Sequence, residues 1–200
     1  GSKSMQSNTT GQQNTALGQE ALRDNTTANF NTAVGKSALQ NNSTGEQNTA
    51  VGASALTANT SANSNTAVGS SSLTANTTGA GNNAIGKQSL LVCTTGSLNN
   101  ALGVDALKAV STGNNNIGIG HDAGRSASPS GNITTASNQI CLGNNSTTDL
   151  FCADTSISSS DSRDKTDITD FTKGLDWIKA LRPVTYRWDR RTWYGTDEEP

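Results

Sequence analysis

The sequence predicts an all-β fold, a β-solenoid or β-roll of 17-residue coils, and three regularities predict it. An Asn recurs at Asn14, Asn31, Asn48, Asn65, Asn82, Asn99 and Asn116, at a constant step of seventeen positions and with no slippage. A Gly keeps the same step from Gly18 to Gly120, and the residue ahead of it is always aliphatic: Leu17, Val34, Val51, Val68, Ile85, Leu102 and Ile119. A second aliphatic column runs through Leu22, Leu39, Leu56, Leu73, Leu90 and Leu107. With so short a period each unit stacks only on its neighbours, and the repeats build a rod.

Each segment of the unit has a reason. In the unit that starts at Asn31, Thr32-Ala33-Val34 alternates sides as a strand does, and Gly35 ends the strand. Ala38-Leu39 is expected to be a second short extended piece, and Asn42-Ser43-Thr44-Gly45 turns the chain. A helical repeat is disfavoured, because every unit carries Gly and an Asn- and Thr-rich run that prefers turns to helix interiors. If Thr and Val face the interior of a narrow coil, the column Ala16, Ala33, Ala50, Ala67, Ala84 and Ala101 faces outward. A line of small apolar residues along a rod suits close approach of another chain, so the column from Ala33 to Ala101 is the expected interface between chains.

Composition narrows the function. The chain has 200 residues, 32% of them hydrophobic and 15% charged, with a net charge of −2. It is too polar for an ordinary monomeric core and too regular for disorder. Stacked Asn and Thr ladders and association of chains are the devices expected to hold it together. No basic stripe exists to neutralise phosphates, so nucleic acid is not an expected partner. No segment is long and apolar enough for membrane insertion, and no secretion signal is expected. Cys93, Cys141 and Cys152 are odd in number and follow no metal-ligand spacing; Cys93 replaces a turn Asn, which marks a small buried hydrophobe. No cofactor and no metal site is expected.

Along the chain, Gly1-Ser2-Lys3-Ser4-Met5 reads as the remnant of an expression tag, so residues 1–7 are set aside as remnant and lead-in. Residues 8–120 are the repeats, and Asn8-Thr9-Thr10-Gly11 already occupies a turn, which implies further repeats towards the N-terminus. Residues 121–150 break the period. The strand Gln139 to Gly143 starts six positions later than the period places it, and the excess lies in a Gly-, Ser- and Pro-containing loop from His121 to Gly131. Insertions in solenoids gather on one face, often the binding face, which makes His121, Arg125 and Asn132 the candidate receptor-binding residues. Residues 151–200 shift in composition, for all three Trp and both Tyr lie there. Phe171, Leu175, Ile178 and Leu181 fall on one face of a helix that Thr169 or Asp170 caps and Pro183 stops, and Val184, Tyr186 and Trp188 alternate as a strand. A short α/β fragment is the expectation.

Two resemblances follow from these residues. The Asn-Thr-Ala-x-Gly units resemble the repeats of bacteriophage tail fibres and, more distantly, the head repeats of trimeric autotransporter adhesins, which implies three chains around a common axis. The series Ser160-Asp161-x-Arg163-x-Lys165-x-x-Ile168, followed by Leu181-Arg182-Pro183-Val184-Thr185-Tyr186-x-Trp188, resembles the start of the endosialidase-type intramolecular chaperone domain. That family sits behind trimeric fibres, assists their folding and then cuts itself off. The resemblance makes Ser160 the nucleophile, Lys165 its base and Ser159–Ser160 the cleaved bond, a single-turnover serine endopeptidase. Ser needs such a base, and Lys serves once burial or a neighbouring Arg163 lowers its pKa from about 10.4. The chain stops at Pro200, short of the long domain of the family, so this fragment is expected not to cut. The resemblances imply a structural and adhesive fibre segment of a virion, a homotrimer that attaches to a host cell-surface glycan or protein. A bacterial surface adhesin and an ice- or lattice-binding solenoid, the latter suggested by Thr26, Thr60, Thr77 and Thr94, are the alternatives.

Overall fold

A computed structural model describes residues 1–149. They form a β-solenoid with one parallel sheet of eight strands in sequence order: β1 (Thr15–Leu17), β2 (Thr32–Val34), β3 (Thr49–Val51), β4 (Thr66–Val68), β5 (Asn83–Ile85), β6 (Asn100–Leu102), β7 (Ile117–Ile119) and β8 (Ile140–Leu142). Pairing follows the repeat: Ala33 lies beside Ala50 and Ala50 beside Ala67, each one period further along the chain. Only the last pair differs. Gly118 lies beside Cys141, so the six extra residues loop out without disturbing the register of the sheet. No helix occurs among the described residues, and none is long and apolar enough there to cross a membrane.

The sides of the strand are the reverse of the sequence expectation. Ala33, Ala50, Ala67 and Ala84 are fully buried and Ala101 nearly so, whereas Thr32 and Val34 and their counterparts lie on the outer face. The Ala column therefore cannot line an interface between chains. The reason is the width of the coil. Six successive coils, from Leu22 to Leu107, each send one Leu into the bore with no exposure at all, and this side chain packs with the inward Ala of the strands. At Gly118 an added Cβ would lie 2.5 Å from Leu107 Cγ. With a Leu opposite, the inward strand position takes nothing larger than Ala, and the branched aliphatics are left outside.

The second side is not extended either. Leu39, Leu56, Leu73 and the other Leu of this column have φ near 50°, in the left-handed region, and the segment runs as turns. Such a backbone costs about 1–2 kcal/mol for an L-residue, which burial of the Leu side chain, worth roughly 1.5–3 kcal/mol, offsets. Backbone hydrogen bonds still join coils here, as in Leu39 N–H to Ala55 O at 2.9 Å. Gly35 ends β2 with φ 131°, and an added Cβ there would lie 2.6 Å from Gly52 O. Only Gly permits both the angle and the approach.

Two buried Asn ladders complete the interior. In the first, Asn31 Nδ2 donates to Gly45 O at 2.8 Å, while Asn31 Oδ1 accepts from the Asn48 backbone N–H at 2.9 Å. The ladder closes where the period breaks, because the Gln139 N–H donates to Asn116 Oδ1 at 3.0 Å. In the second, Asn42 donates to Asn25 Oδ1 at 3.0 Å and Asn59 to Asn42 Oδ1 at 2.7 Å. Here Cys93, Val110 and Ile133 take the remaining positions, and Asn76 Oδ1 is left buried without a partner. Residues 1–7, set aside as a remnant, also follow the repeat. Met5 stands one period before Leu22, shares its positive φ and packs on the core, and its N–H donates to Ala21 O at 3.0 Å.

Candidate functional site

Two regions of the described surface depart from the solvated corners of the coil. The first is the outer face of the sheet. Its strands carry outward only Thr, Asn or Ile at one position and Val, Leu or Ile at the other, and no charge at either. Leu102 is 50% exposed, Ile119 45% and Leu142 46%. Between β5 and β7 the side chains of Ile85, Leu102, Ile117 and Ile119 border a shallow apolar groove of about 330 Å³. Sequence reasoning missed this face, because it assigned Val and Thr to the bore. The branched shape of the Val position, set against the Ala between, was the available signal.

The second region is the off-period loop, and its chemistry starts from two stacked carboxylates. Asp105 and Asp122 hold the same position in successive coils, both at positive φ. Arg125 bridges them, 2.7 Å from Asp122 Oδ1 and 3.5 Å from Asp105 Oδ2, and Lys108 lies 2.9 Å from Asp105 Oδ1. His121 Nδ1 is 3.3 Å from Asp122 Oδ2 and 3.3 Å from Asn144 Nδ2. Ligand atoms of Asp105, His121 and Asp122 thus lie within 4.8 Å of one another, but the two cations already neutralise the carboxylates. Of the three residues expected to bind a receptor, His121 and Asn132 are exposed, whereas Arg125 is engaged in joining the coils of Asp105 and Asp122.

Beneath the loop, Gly124 occupies the Leu position of its coil, and Leu107 and Ile133 close over the space where its side chain would stand. The Gly124 N–H donates to Cys141 Sγ at 3.1 Å, and Ser128 and Ser130 lie 3.5 Å from the same sulfur. Burial pushes the Cys141 thiol up, but these hydrogen bonds outweigh burial and hold its pKa below the ordinary thiol value. At Cys93 burial outweighs the single contact of its Sγ with Gly96 O at 3.5 Å and pushes its pKa up to about 11. Both cysteines are free thiols.

Ser160, Lys165 and the Ser159–Ser160 bond lie outside the described residues, as do the expected helix from Asp170 and the strand ending at Trp188. Sequence comparison addresses that segment. Residues 160–199 match the family described as chaperone of endosialidase, which agrees with the resemblance carried by Ser160 to Trp188. The match covers the last fifth of the chain. No curated protein and no solved structure matches the chain.

Proposed function

We propose that the chain is a structural and adhesive fibre segment, of the kind found in the distal tail fibre of a virus, whose C-terminal segment belongs to a chaperone that brings three chains together. One observation carries the reading: a solenoid of constant period is followed in sequence by the segment that matches the chaperone of endosialidase. A uniform rod resists load and presents the same surface throughout, so its tasks are spacing and display. Recognition of a host glycan or protein is assigned to the off-period loop, where His121 and Asn132 are exposed. The chaperone match supports self-association, and its Ser160 and Lys165 support a single self-cleavage in a chain that carries the whole domain. Size-exclusion chromatography with light scattering tests the reading. A mass of three chains is expected, and a monomer at every concentration overturns it.

A lattice-binding solenoid is favoured by one feature, the outward column Thr15, Thr32, Thr49 and Thr66. The column ends at Asn83, and the hydroxyls of Thr26 and Thr60 on another side are engaged by carbonyls of the next coil. Thermal hysteresis in a freezing solution would be needed to sustain that alternative.

A further inference from the structure

The outer face of the sheet is uncharged along all eight strands, while charged side chains such as Lys36, Glu46 and Lys87 stand on the corners beside it. It is also graded. The first outward position is Thr from β1 to β4, Asn in β5 and β6, and Ile in β7 and β8, while the second is aliphatic throughout. At the C-terminal end both positions are therefore apolar, as Ile117 with Ile119 and Ile140 with Leu142. This is the end nearest in sequence to residues 160–199.

The pitch of the face indicates what covers it. Its side chains repeat every strand, about 4.8 Å, and a partner that meets each of them must carry the same spacing. Another copy of this solenoid does so. Orientation follows from the grading. In an antiparallel pair Ile140 and Leu142 would meet Thr15 and Leu17, and the Thr hydroxyls would lose water against aliphatic groups. In a parallel pair in register, Ile meets Ile, Thr meets Thr, and the Asn83 and Asn100 amides, already bonded to each other at 2.8 Å, retain polar neighbours.

We propose that copies of this chain associate parallel and in register through the outward column Val34, Val51, Val68, Ile85, Leu102 and Ile119, with the tightest contact at the Ile117–Leu142 end. The inference rests on the fibre reading and names its interface. Eight strands give a stripe about 34 Å long and two side chains wide, roughly 300 Å² in plan. That is below the ~800 Å² per partner of a standard stable interface. Association of this solenoid alone is accordingly weak, and the apolar end is where it starts.

Sedimentation of the full chain over a range of concentrations, with thermal melts of the monomer as a folding control, tests this. Ile119→Glu should raise the concentration needed for association at least ~10-fold, Val34→Glu should raise it less, and Lys36→Glu on the neighbouring corner should leave it unchanged. On a Cys152→Ser background, Val51→Cys should form a disulfide with its own counterpart in a second chain. A wild-type chain that stays monomeric overturns the fibre reading together with this inference. An oligomer indifferent to both Ile119→Glu and Val34→Glu overturns the inference alone, and so does efficient cross-linking of Leu17→Cys to Leu142→Cys in place of the Val51 pair. Equal effects of Ile119→Glu and Val34→Glu would remove the assignment of the tight end.

Discussion

Asn59 shows how much of this fold rests on single polar atoms. Its Nδ2 donates to Asn42 Oδ1 and Ala62 O, and its Oδ1 accepts from Asn76. Asn59→Ala would leave Asn42 Oδ1 without its donor inside the coil, and each buried polar group so orphaned costs about 1–3 kcal/mol. A loss of about 3 kcal/mol is expected from chemical denaturation. Cys93→Asn, by contrast, should change stability by less than about 1 kcal/mol. The new amide would satisfy Asn76 Oδ1, but its own oxygen would face Val110, which donates nothing, so the orphan only moves one coil along. Cys93 also sets a pH dependence. Its pKa of about 11 in the folded state exceeds the ordinary value of 9.0, so the unfolded chain loses this proton first. The stability this group contributes is complete below pH 9 and is lost as pH rises towards 11, by up to about 2–3 kcal/mol. From pH 8 to pH 10.5 the wild type should lose more stability than Cys93→Ala, in which Cys141, with its pKa held down, still acts in the opposite direction.

At the scale of the element, the strand and the off-period loop each carry a prediction that the burial pattern changes. Ala50→Glu would do more than separate neighbouring chains, because the carboxylate would enter the bore against the Leu column. Loss of the fold in the circular dichroism of the monomer is expected, and a folded monomer with Glu at position 50 would show that the strand faces the other way. The loop is partly structural. Arg125 ties Asp105 to Asp122, and Ser128 is buried beneath it, so Arg125→Ala should lower the melting temperature by a few degrees, as loss of a partly exposed pair worth up to ~1 kcal/mol implies. His121→Ala with Asn132→Ala should leave melting unchanged and, on the proposed function, abolish binding to host cells. Normal binding by that double variant would move the receptor site elsewhere.

For the whole molecule the decisive question is the cut before Ser160. In a chain carrying the entire chaperone domain, cleavage should follow assembly, because a Lys base works near neutral pH only once packing desolvates it. Mass spectrometry should find a product ending at Ser159, and Ser160→Ala and Lys165→Ala should each give an uncut oligomer of unchanged fold. The 200-residue chain should remain intact. Complete cleavage of this chain would show that residues 160–200 suffice for the cut, and an uncut chain carrying the entire domain would remove the Ser-Lys assignment.

The sequence alone determined the period, the parallel register and the positions of the corners, because a 17-residue step in Asn, Gly and Leu admits no other pairing of neighbouring coils. It also located the loop, since the six added positions leave Gln139 standing where an Asn belongs. It did not determine which side of the strand is inside. Alternation in Thr-Ala-Val gives two faces without labels, and hydrophobicity favours Val for the interior. That choice was made by the tertiary structure, through the volume of the bore. In the coils from Leu22 to Leu107 one Leu, held in a left-handed turn that no local pattern announced, fills the space opposite the strand. The inward position is thereby limited to Ala, and the Val column is turned outward.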